Sequence, residues 1–436
     1  AAGIGGGIHA SAENITINGG TVTAKAGGGA AAIGGGHANP HGGKGTNINL
    51  VGGDVTVQSN HGVATIGGVD GEITIPSTFG GSLTYLNADG TEDTTKTNIE
   101  KYGPVVNGKA VNSLNKDKIL NGALRYDPAT KILSLNTDAE SYIGNLTIYA
   151  PNTTVDLNGG EYSAHQGKLV IEAAEDVTLT STEARAVVGD ANITCAGKLR
   201  ITCENIAVDG KLTVNNASSV ELIGKNDNGG TVNGAAVFNN TGEVTIQNKD
   251  ATKGAAHSIS YSGDYVYYTA EGGALTDPRI TPIAADASYL HIVPSELHSI
   301  TVPEGCTFKV DGADLPTVDV PDNKAYAGQT VTVTAPDKGD HFEFAGWTIS
   351  PDSVTLTDAD KLTATFTMPD GDVKLENSYN QLYDVTVKKG TATPSFAKEG
   401  TLVTIIAEFI PGRKFERWDV LGDNVTVTLD NKNSKT

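Results

Sequence analysis

The chain has 436 residues, a formal net charge of −20 and an aromatic content of only 6%. This acidic balance argues against binding to nucleic acid or to an anionic membrane, because both depend on Lys and Arg meeting phosphate groups. No run approaches the ~20 apolar residues of a membrane-spanning helix, and the cysteines and histidines lack metal-type spacing. We therefore predict no nucleic-acid partner, no membrane insertion in this chain, no metal and no cofactor.

Residues 1–87 repeat three short phrases. An isoleucine before glycines recurs at Ile4, Ile33 and Ile66, and two segments that alternate apolar and polar residues follow each time. This alternation is typical of a strand with one buried face, and repetition at this period predicts stacked turns of a β-helix. The glycines are assigned to corners rather than to a phosphate loop, since neither a helix nor a Lys-Ser/Thr pair follows them. The expected columns are Ile15–Ile48–Ile73, Ile17–Leu50–Ile75 and Val22–Val55–Leu83 inside, with Thr23–Thr56–Thr84 outside.

Residues 88–125 interrupt the repeat, so we predict a polar insertion with a short helix near residues 113–121. The stretch "LRYDPATKILSLNT" (124–137) predicts a hairpin, because two β-rich runs flank a turn with proline at its second position. Alternating phrases return over 126–260, as in "GNLTI", "GKLVI", "GKLTV" and "GEVTI". We predict an all-β chain with a right-handed parallel β-helix over 1–87 and 126–260, and we favour one helix that is interrupted by the insertion over two separate ones.

Residues 261–297 are predicted to form a cap and linker that closes the end of the β-helix. Within the helix, Cys195 and Cys203 lie close together in the sequence. They form either a disulfide or two buried thiols.

The composition changes after about residue 290, and seven of the nine Phe and both Trp lie beyond residue 300. A second repeat appears there: "AGQTVTVTA" (327–335) matches "EGTLVTIIA" (399–407), "FAGW" (344–347) matches "FERW" (415–418), and "DSVTL" (352–356) matches "DNVTV" (423–427). The alternation predicts small antiparallel, sandwich-like β modules over 298–380 and 381–436, with Trp347 and Trp418 as core anchors. The counterpart of Phe366 would fall beyond residue 436, so the second module is expected to be truncated, with an exposed edge.

Two resemblances follow from these phrases. The pattern of "AGQTVTVTA", "FAGW" and "TATFTMPDGDVKLE" (363–376) resembles the divergent internalin-type B-repeat family. The stretch "YDPATKILSLN" with its following phrases resembles secreted gut-bacterial and clostridial surface proteins, whose β-helix region is described as carbohydrate-binding. These resemblances imply a Gram-positive-type surface protein, extracellular or attached to the cell wall, with B-repeats as spacers. Neither resemblance assigns a site residue.

Candidate site residues come from the middle of the chain. The densest aromatic group suits a glycan platform, since sugars stack on exposed rings: Tyr261, Tyr265, Tyr267 and Tyr268. Asp156, Asp176 and Glu221 fall on or beside outward strand positions, and Arg185 or Arg200 is a candidate base or clamp for an acidic sugar. The alternative for all of them is a cap and an ordinary solvated face. As ligand-binding residues we select the four tyrosines with Asp156 and Arg200, and we select no catalytic residue.

Three functions stay open at this stage. The first is a non-enzymatic surface protein that binds a glycan or another host ligand. The second is a polysaccharide hydrolase or lyase, which requires paired carboxylates or a base beside acidic metal ligands. The third is a purely structural stalk. The absence of a compact acid–base set in the sequence favours the first.

Overall fold

The structure, a computed structural model, describes residues 1–37, 42–59, 66–68, 71, 73–76, 79–136, 142–226, 229–313 and 323–421. Within these ranges the chain is built almost entirely of strands, and its one helical element is a 3₁₀ turn at Leu120–Gly122. It divides into two compact units, residues 1–276 with 283–294, and residues 277–282 with 295–436. The all-β prediction is confirmed, with a β-solenoid followed by small sheet modules.

The first stack of the solenoid comprises three turns. Its strands are β1 (Ile4–Gly5), β2 (Ala12–Ile17), β3 (Thr21–Ala26), β4 (Ile33–Gly34), β5 (Gly45–Leu50), β6 (Asp54–Ser59), β7 (Ile66–Gly67), β8 (Ile73–Thr74) and β9 (Ser82–Leu86). They form three parallel sheets in the orders β1-β4-β7, β2-β5-β8 and β3-β6-β9. The pairing confirms the predicted columns, including Ile15 with Ile48 and Ile73, and Val22 with Val55 and Leu83. Ile75 lies just outside β8 but packs against the same core.

The glycine phrase forms a corner of each turn. Gly34 pairs with Gly5 on one side and Gly67 on the other, at a φ of +127°. A Cβ on Gly34 would lie 2.9 Å from the carbonyl oxygen of Gly67. Glycine is required here because only a residue without a side chain accepts both the positive φ and this close approach.

The predicted insertion forms a junction rather than a loop. Its strands are β10 (Lys101–Val106) and β11 (Lys109–Asn112), which pair antiparallel. Ile99 bridges to Leu83 of the first stack, and the buried Asn112 amide donates to the carbonyl oxygens of Phe79 and Gly81 at 2.6 and 3.1 Å.

The helix predicted near 113–121 is wrong. These residues form turns: the Asn112 carboxamide oxygen accepts the backbone N–H groups of Leu114 and Asn115 as an N-cap does, but the carbonyl oxygen of Lys116 accepts the N–H of Tyr126 and does not continue a helix. Leu120 and Asn121 then adopt positive φ angles of 51° and 60°, which end any helical path.

The second stack carries five further turns behind a hairpin. Its strands are β12 (Leu124–Asp127), β13 (Ile132–Leu135), β14 (Leu146–Ala150), β15 (Thr154–Asn158), β16 (His165–Gln166), β17 (Leu169–Ala173), β18 (Val177–Thr180), β19 (Val187–Val188), β20 (Ala191–Cys195), β21 (Lys198–Thr202), β22 (Val208–Asp209), β23 (Leu212–Asn215), β24 (Ser219–Gly224), β25 (Val232–Asn239), β26 (Glu243–Asn248), β27 (Ala256–Tyr261), β28 (Tyr265–Tyr268) and β29 (Tyr289–Pro294). The β12–β13 hairpin confirms the prediction for 124–137.

Two long sheets organise the second stack. One has nine strands in the order β12-β13-β15-β18-β21-β24-β26-β29-β28, and the other has eleven and begins with β11 and β10. Neither includes a strand of the first stack, and the two stacks enclose separate buried clusters. The two stacks together make one solenoid of about 8 turns within one compact unit, interrupted by the insertion as predicted, because β10 pairs antiparallel with β14 between them.

The core of the second stack is a set of aliphatic columns, one residue per turn. Cys195 and Cys203 are free thiols buried in this core, which decides between the two alternatives left open by the sequence. Strand β29 pairs antiparallel with β26 and β28, so part of the predicted cap extends the nine-stranded sheet.

The second unit begins with a compact module. Its strands are β30 (Leu297–Thr301), β31 (Thr307–Val310), β32 (Lys324–Tyr326), β33 (Thr330–Thr334), β34 (Phe342–Ser350), β35 (Thr363–Thr367) and β36 (Val373–Gln381). They form sheets in the orders β32-β30-β36-β34 and β31-β33-β35 around one core that includes Trp347. All pairs are antiparallel except β30 with β36.

Part of the predicted linker belongs to this unit. Asp277, whose side chain is fully buried, pairs with Arg279 at 2.6 Å, and Gln329 donates to the same carboxylate at 3.1 Å. The Arg279 guanidinium lies over the Tyr326 ring, 5.0 Å from its centroid. Residues 277–282 are therefore held to the module by the hydrogen bond from Gln329, by the Arg279 hydrogen bond to the Lys324 carbonyl oxygen at 3.1 Å and by the packing of Arg279 on Tyr326.

The rest of the second unit consists of short strands. They are β37 (Tyr383–Asp384), β38 (Gly390–Thr393), β39 (Phe396–Ala397) and β40 (Thr404–Ala407). Phe415 and Trp418 lie 5.2 Å apart between ring centroids, much as Phe344 and Trp347 lie 5.8 Å apart, so the repeated F-x-x-W phrase forms the same aromatic pair twice. Trp347 is buried, whereas Trp418 is only partly buried. The phrase at 423–427 lies outside the described residues.

Candidate functional site

One polar row crosses the whole outward face of the nine-stranded sheet. Strand register places one residue of each strand side by side in it, and we call this set the outward row: Arg125, Ser134, Asp156, Thr178, Arg200, Glu221, Thr245, His291 and Tyr268. None of the nine is buried, and they alternate along each strand with core residues. At the usual spacing between strands, the row spans about 38 Å.

Charges of both signs alternate along this row. The Arg200 Nε lies 2.7 Å from a carboxylate oxygen of Glu221, and the Arg125 Nε donates to the Ser134 hydroxyl at 3.2 Å. At the far end the rings of Tyr268 and His291 lie 5.8 Å apart. The row thus offers donors, acceptors and one aromatic face in a line, which is the set of groups that a polyhydroxylated chain can use.

Asp156 is the row's most distinctive carboxylate. It stands beside Thr178, with Arg200 on the next strand. Partial burial raises its pKa above the usual range for aspartate. A buried charge costs folding free energy unless it is paired, so this carboxylate is retained at the expense of stability.

The three candidate carboxylates, Asp156, Asp176 and Glu221, are dispersed. Asp156 and Glu221 are three strands apart, about 14 Å at the usual spacing, whereas paired glycosidase carboxylates are about 5–10 Å apart. Asp176 lies diagonally next to Asp156, but its Oδ1 accepts the backbone N–H of Lys198 at 2.7 Å and so caps a corner. Among the residues that the structure describes, no cluster of three His, Cys, Asp or Glu side chains is arranged to hold a metal ion.

The four predicted tyrosines do not form one platform. Tyr267 is only 1% exposed and packs into the core, so it is unavailable for stacking on a sugar. Tyr261 donates its hydroxyl to the backbone oxygens of Thr241 and Gly242 at 2.5 and 3.1 Å, and it packs against Tyr265. Of the six selected site residues, the structure brings Asp156, Arg200 and Tyr268 onto one row.

Sequence reasoning missed the other members of the row. Arg125 lies in the hairpin, and His291 lies in the segment predicted as cap and linker. The available signal was the alternation in each phrase, which marks an outward position. Alternation within a strand does not reveal the register between strands, so it cannot predict which outward residues of different strands are neighbours.

The eleven-stranded sheet carries a different polar ladder on its outward side. Asn215 donates to Asn192 at 3.1 Å, and Asn239 donates to Asn215 at 2.9 Å. Because these amides satisfy one another, they have less capacity for a ligand than the outward row.

The comparisons with known proteins bear on the second unit. Residues 310–382 match the Divergent InlB B-repeat domain, which covers most of the compact module. Domains of this family occur in extracellular proteins. No helix in the described ranges is long and apolar enough to cross a membrane. No curated protein and no solved structure matches the chain. The chain thus combines a β-solenoid with a segment similar to the Divergent InlB B-repeat domain.

Proposed function

We propose that this protein is a non-enzymatic, extracellular or wall-attached adhesin that binds glycan along the outward row of the second stack. The compact module and the following repeat act as spacers on the cell surface. The observation that carries the proposal is the continuous row of exposed or partly buried polar groups across nine strands.

The chemistry of the row suits a carbohydrate better than an apolar or a strongly charged ligand. Hydroxyl groups both donate and accept hydrogen bonds, so they match a surface on which Arg, Asp, Thr and Glu follow one another. The Tyr268 ring at one end offers a face on which a sugar ring stacks. A rigid sheet fixes the backbone positions of these groups in advance, which lowers the ordering cost on binding.

The enzyme alternative has less support. Its strongest argument is Asp156, since a raised pKa is a property of catalytic acids. A partner carboxylate at the required separation is needed as well, and the diagonal candidate, Asp176, is engaged with the backbone. The stalk alternative predicts that the row binds nothing.

A glycan array probed with the full chain tests the proposal. The bound glycans are then titrated against Arg200→Met, with Arg417→Met as the matched control. Both arginines are 58% exposed, and each pairs through its Nε with a neighbouring carboxylate, but Arg417 lies in the second unit. We expect Arg200→Met to weaken binding at least tenfold and Arg417→Met to leave it unchanged.

The same array distinguishes the three functions. Bound glycans recovered intact support the adhesin. Cleaved products that disappear in Asp156→Asn would establish the enzyme instead. A chain that binds no glycan, or one whose binding is indifferent to Arg200→Met, contradicts the proposal.

A further inference from the structure

A cleft lies at the last turn of the second stack, away from the outward row. It has a volume of about 640 Å³, and its polar lining includes Asn233, Thr252, Lys253, His257 and Asp286. This volume is in the range of small-ligand sites, about 300–1,000 Å³. We propose that this cleft binds a sugar that carries a carboxylate, as uronic acids do.

The cleft exists because the stacking changes at this turn. The corresponding corner strands of the earlier turns pair in continuous register, as β16 does with β19 and β19 with β22. Between β25 and β27 the register shifts, so that Val232 pairs with Ala256 but Ala235 pairs with Ser258. One more residue on β25 than on β27 makes a bulge at Asn233 and Gly234, and such bulges re-aim side chains next to binding sites.

The charged groups of the cleft are uncommitted. Within the residues that the structure describes, the side chains of Lys253, His257 and Asp286 make no hydrogen bond and no ion pair. The pKa of Asp250 is lowered chiefly by hydrogen bonds from Thr252, and the positive charge of Lys253 makes a smaller contribution in the same direction. The Lys253 ammonium, itself partly buried, therefore faces the cleft with no carboxylate in contact. Such a group favours an anionic ligand over a neutral one.

Asn233 supplies an oriented acceptor. Its Nδ2 donates to Asp209 Oδ1 at 2.9 Å, and Arg185 pairs with the other oxygen of that carboxylate. Because a carboxylate only accepts, the amide nitrogen must face Asp209 and the amide oxygen must face away from it. A Cβ at Gly229 would lie 3.2 Å from this oxygen, which places the oxygen against the glycine-lined wall.

These groups together select the ligand class. Lys253 and His257 can donate to a carboxylate, while Asn233 Oδ1 and Asp286 can accept hydrogen bonds from hydroxyls. A neutral sugar would satisfy the acceptors but would leave the ammonium without an ion-pair contact. A simple inorganic anion would satisfy the ammonium but not the acceptors. A hydroxylated carboxylate satisfies both. This inference does not depend on binding along the outward row.

Calorimetric titration of the full chain with tetragalacturonic acid and with its methyl ester tests the inference. The two probes share a sugar backbone, and esterification removes the carboxylate charges while adding one methyl group at each. Lys253→Gln is the test variant and Lys211→Gln the control, since Lys211 is exposed on a regular turn. We expect the acid to bind the wild type and Lys211→Gln alike, and both the ester and Lys253→Gln to weaken binding at least tenfold.

Several outcomes would overturn the inference. The first three are no binding of the acid, equal binding of the acid and the ester, and equal losses of affinity in the two lysine variants. The fourth is displacement of the bound acid by inorganic phosphate, which would assign the cleft to a small anion. Arg200→Met separates this site from the proposed function. If that variant abolishes binding of the acid and Lys253→Gln does not, the ligand lies on the outward row and the cleft proposal fails alone.

Discussion

Replacing His165 with valine should remove an acid sensitivity from the second stack. His165 occupies the first position of a core column whose next members are Val187, Val208 and Val232. It is 0% exposed, and neither ring nitrogen has a hydrogen-bond partner in the described part of the chain. Burial lowers its pKa from 6.5 to about 4, although the nearby backbone of Lys168 and Gly167 offsets part of the shift.

The sign of the effect follows from the direction of this shift. A histidine whose pKa is lowered by folding takes up its proton more readily in the unfolded chain. Its stabilising contribution is therefore complete above about pH 6.5 and is lost as the pH falls towards 4. The shift corresponds to about 3 kcal/mol in full, of which about 2 kcal/mol is lost by pH 5.

Urea unfolding of the full chain at pH 7.5 and pH 5 measures how much of the unfolding free energy of the second stack is lost at the lower pH. Cys195 and Cys203 are buried in the same core, and burial raises the pKa of Cys195 to about 11, so they report the opening of this stack. Labelling them with 4,4′-dithiodipyridine, which reacts at acid pH, and locating the label by mass spectrometry distinguishes them from Cys306.

We expect the wild type to lose about 2 kcal/mol more than His165→Val between the two pH values. At pH 7.5 the variant should be at least as stable as the wild type, because two unsatisfied ring nitrogens are removed. His257→Gln, at an exposed histidine, should behave as the wild type. Equal losses in the wild type and His165→Val would refute the reasoning.

Three further predictions concern a corner, a charge and a buried ion pair. Gly189→Ala should destabilise the second stack by more than about 2 kcal/mol in urea unfolding. The reason is that a Cβ at Gly189, whose φ is +124°, would lie 2.5 Å from the Gly167 carbonyl oxygen. Gly19→Ala is the control with a smaller expected loss, since a Cβ there meets nothing within 4 Å. Asp156→Asn should raise the melting temperature at pH 7 but not at pH 3, where the carboxyl is neutral in both states; an equal rise at both values would contradict a role for its charge. Asp277→Ala should cost the second unit about 3–5 kcal/mol, measured by tryptophan fluorescence. Glu376→Ala, which removes an exposed ion pair on a regular strand, should cost much less.

The sequence alone determined the architecture of each turn. Alternation fixed which residues face the core, and repetition fixed which of them stack, so that Ile15 over Ile48 and Val22 over Val55 could be predicted. In a solenoid each strand pairs with its counterpart one turn away, so a repeated local pattern is enough to set the register. The same logic assigned the glycines to corners and Trp347 to a core.

Other features depended on contacts that no local pattern encodes. The hydrophobic pattern of "GKAVNSLNKDKIL" did not reveal that Leu120 and Asn121 would adopt positive φ angles, or that the Asn112 side chain would bond to the first stack. The sequence around Asp277 likewise did not show that this side chain would be buried in the second unit. An Asp and an Arg two residues apart are equally compatible with an exposed ion pair.

The candidate sites divide in the same way. That Asp156 and Arg200 point outward follows from alternation within their own strands. That they share a row with Arg125, His291 and Tyr268 was decided by the tertiary structure, because register across nine strands depends on the length of every connecting loop and on three antiparallel pairings near the ends. The cleft beside β25 has the same origin, since a single shift of register opens it.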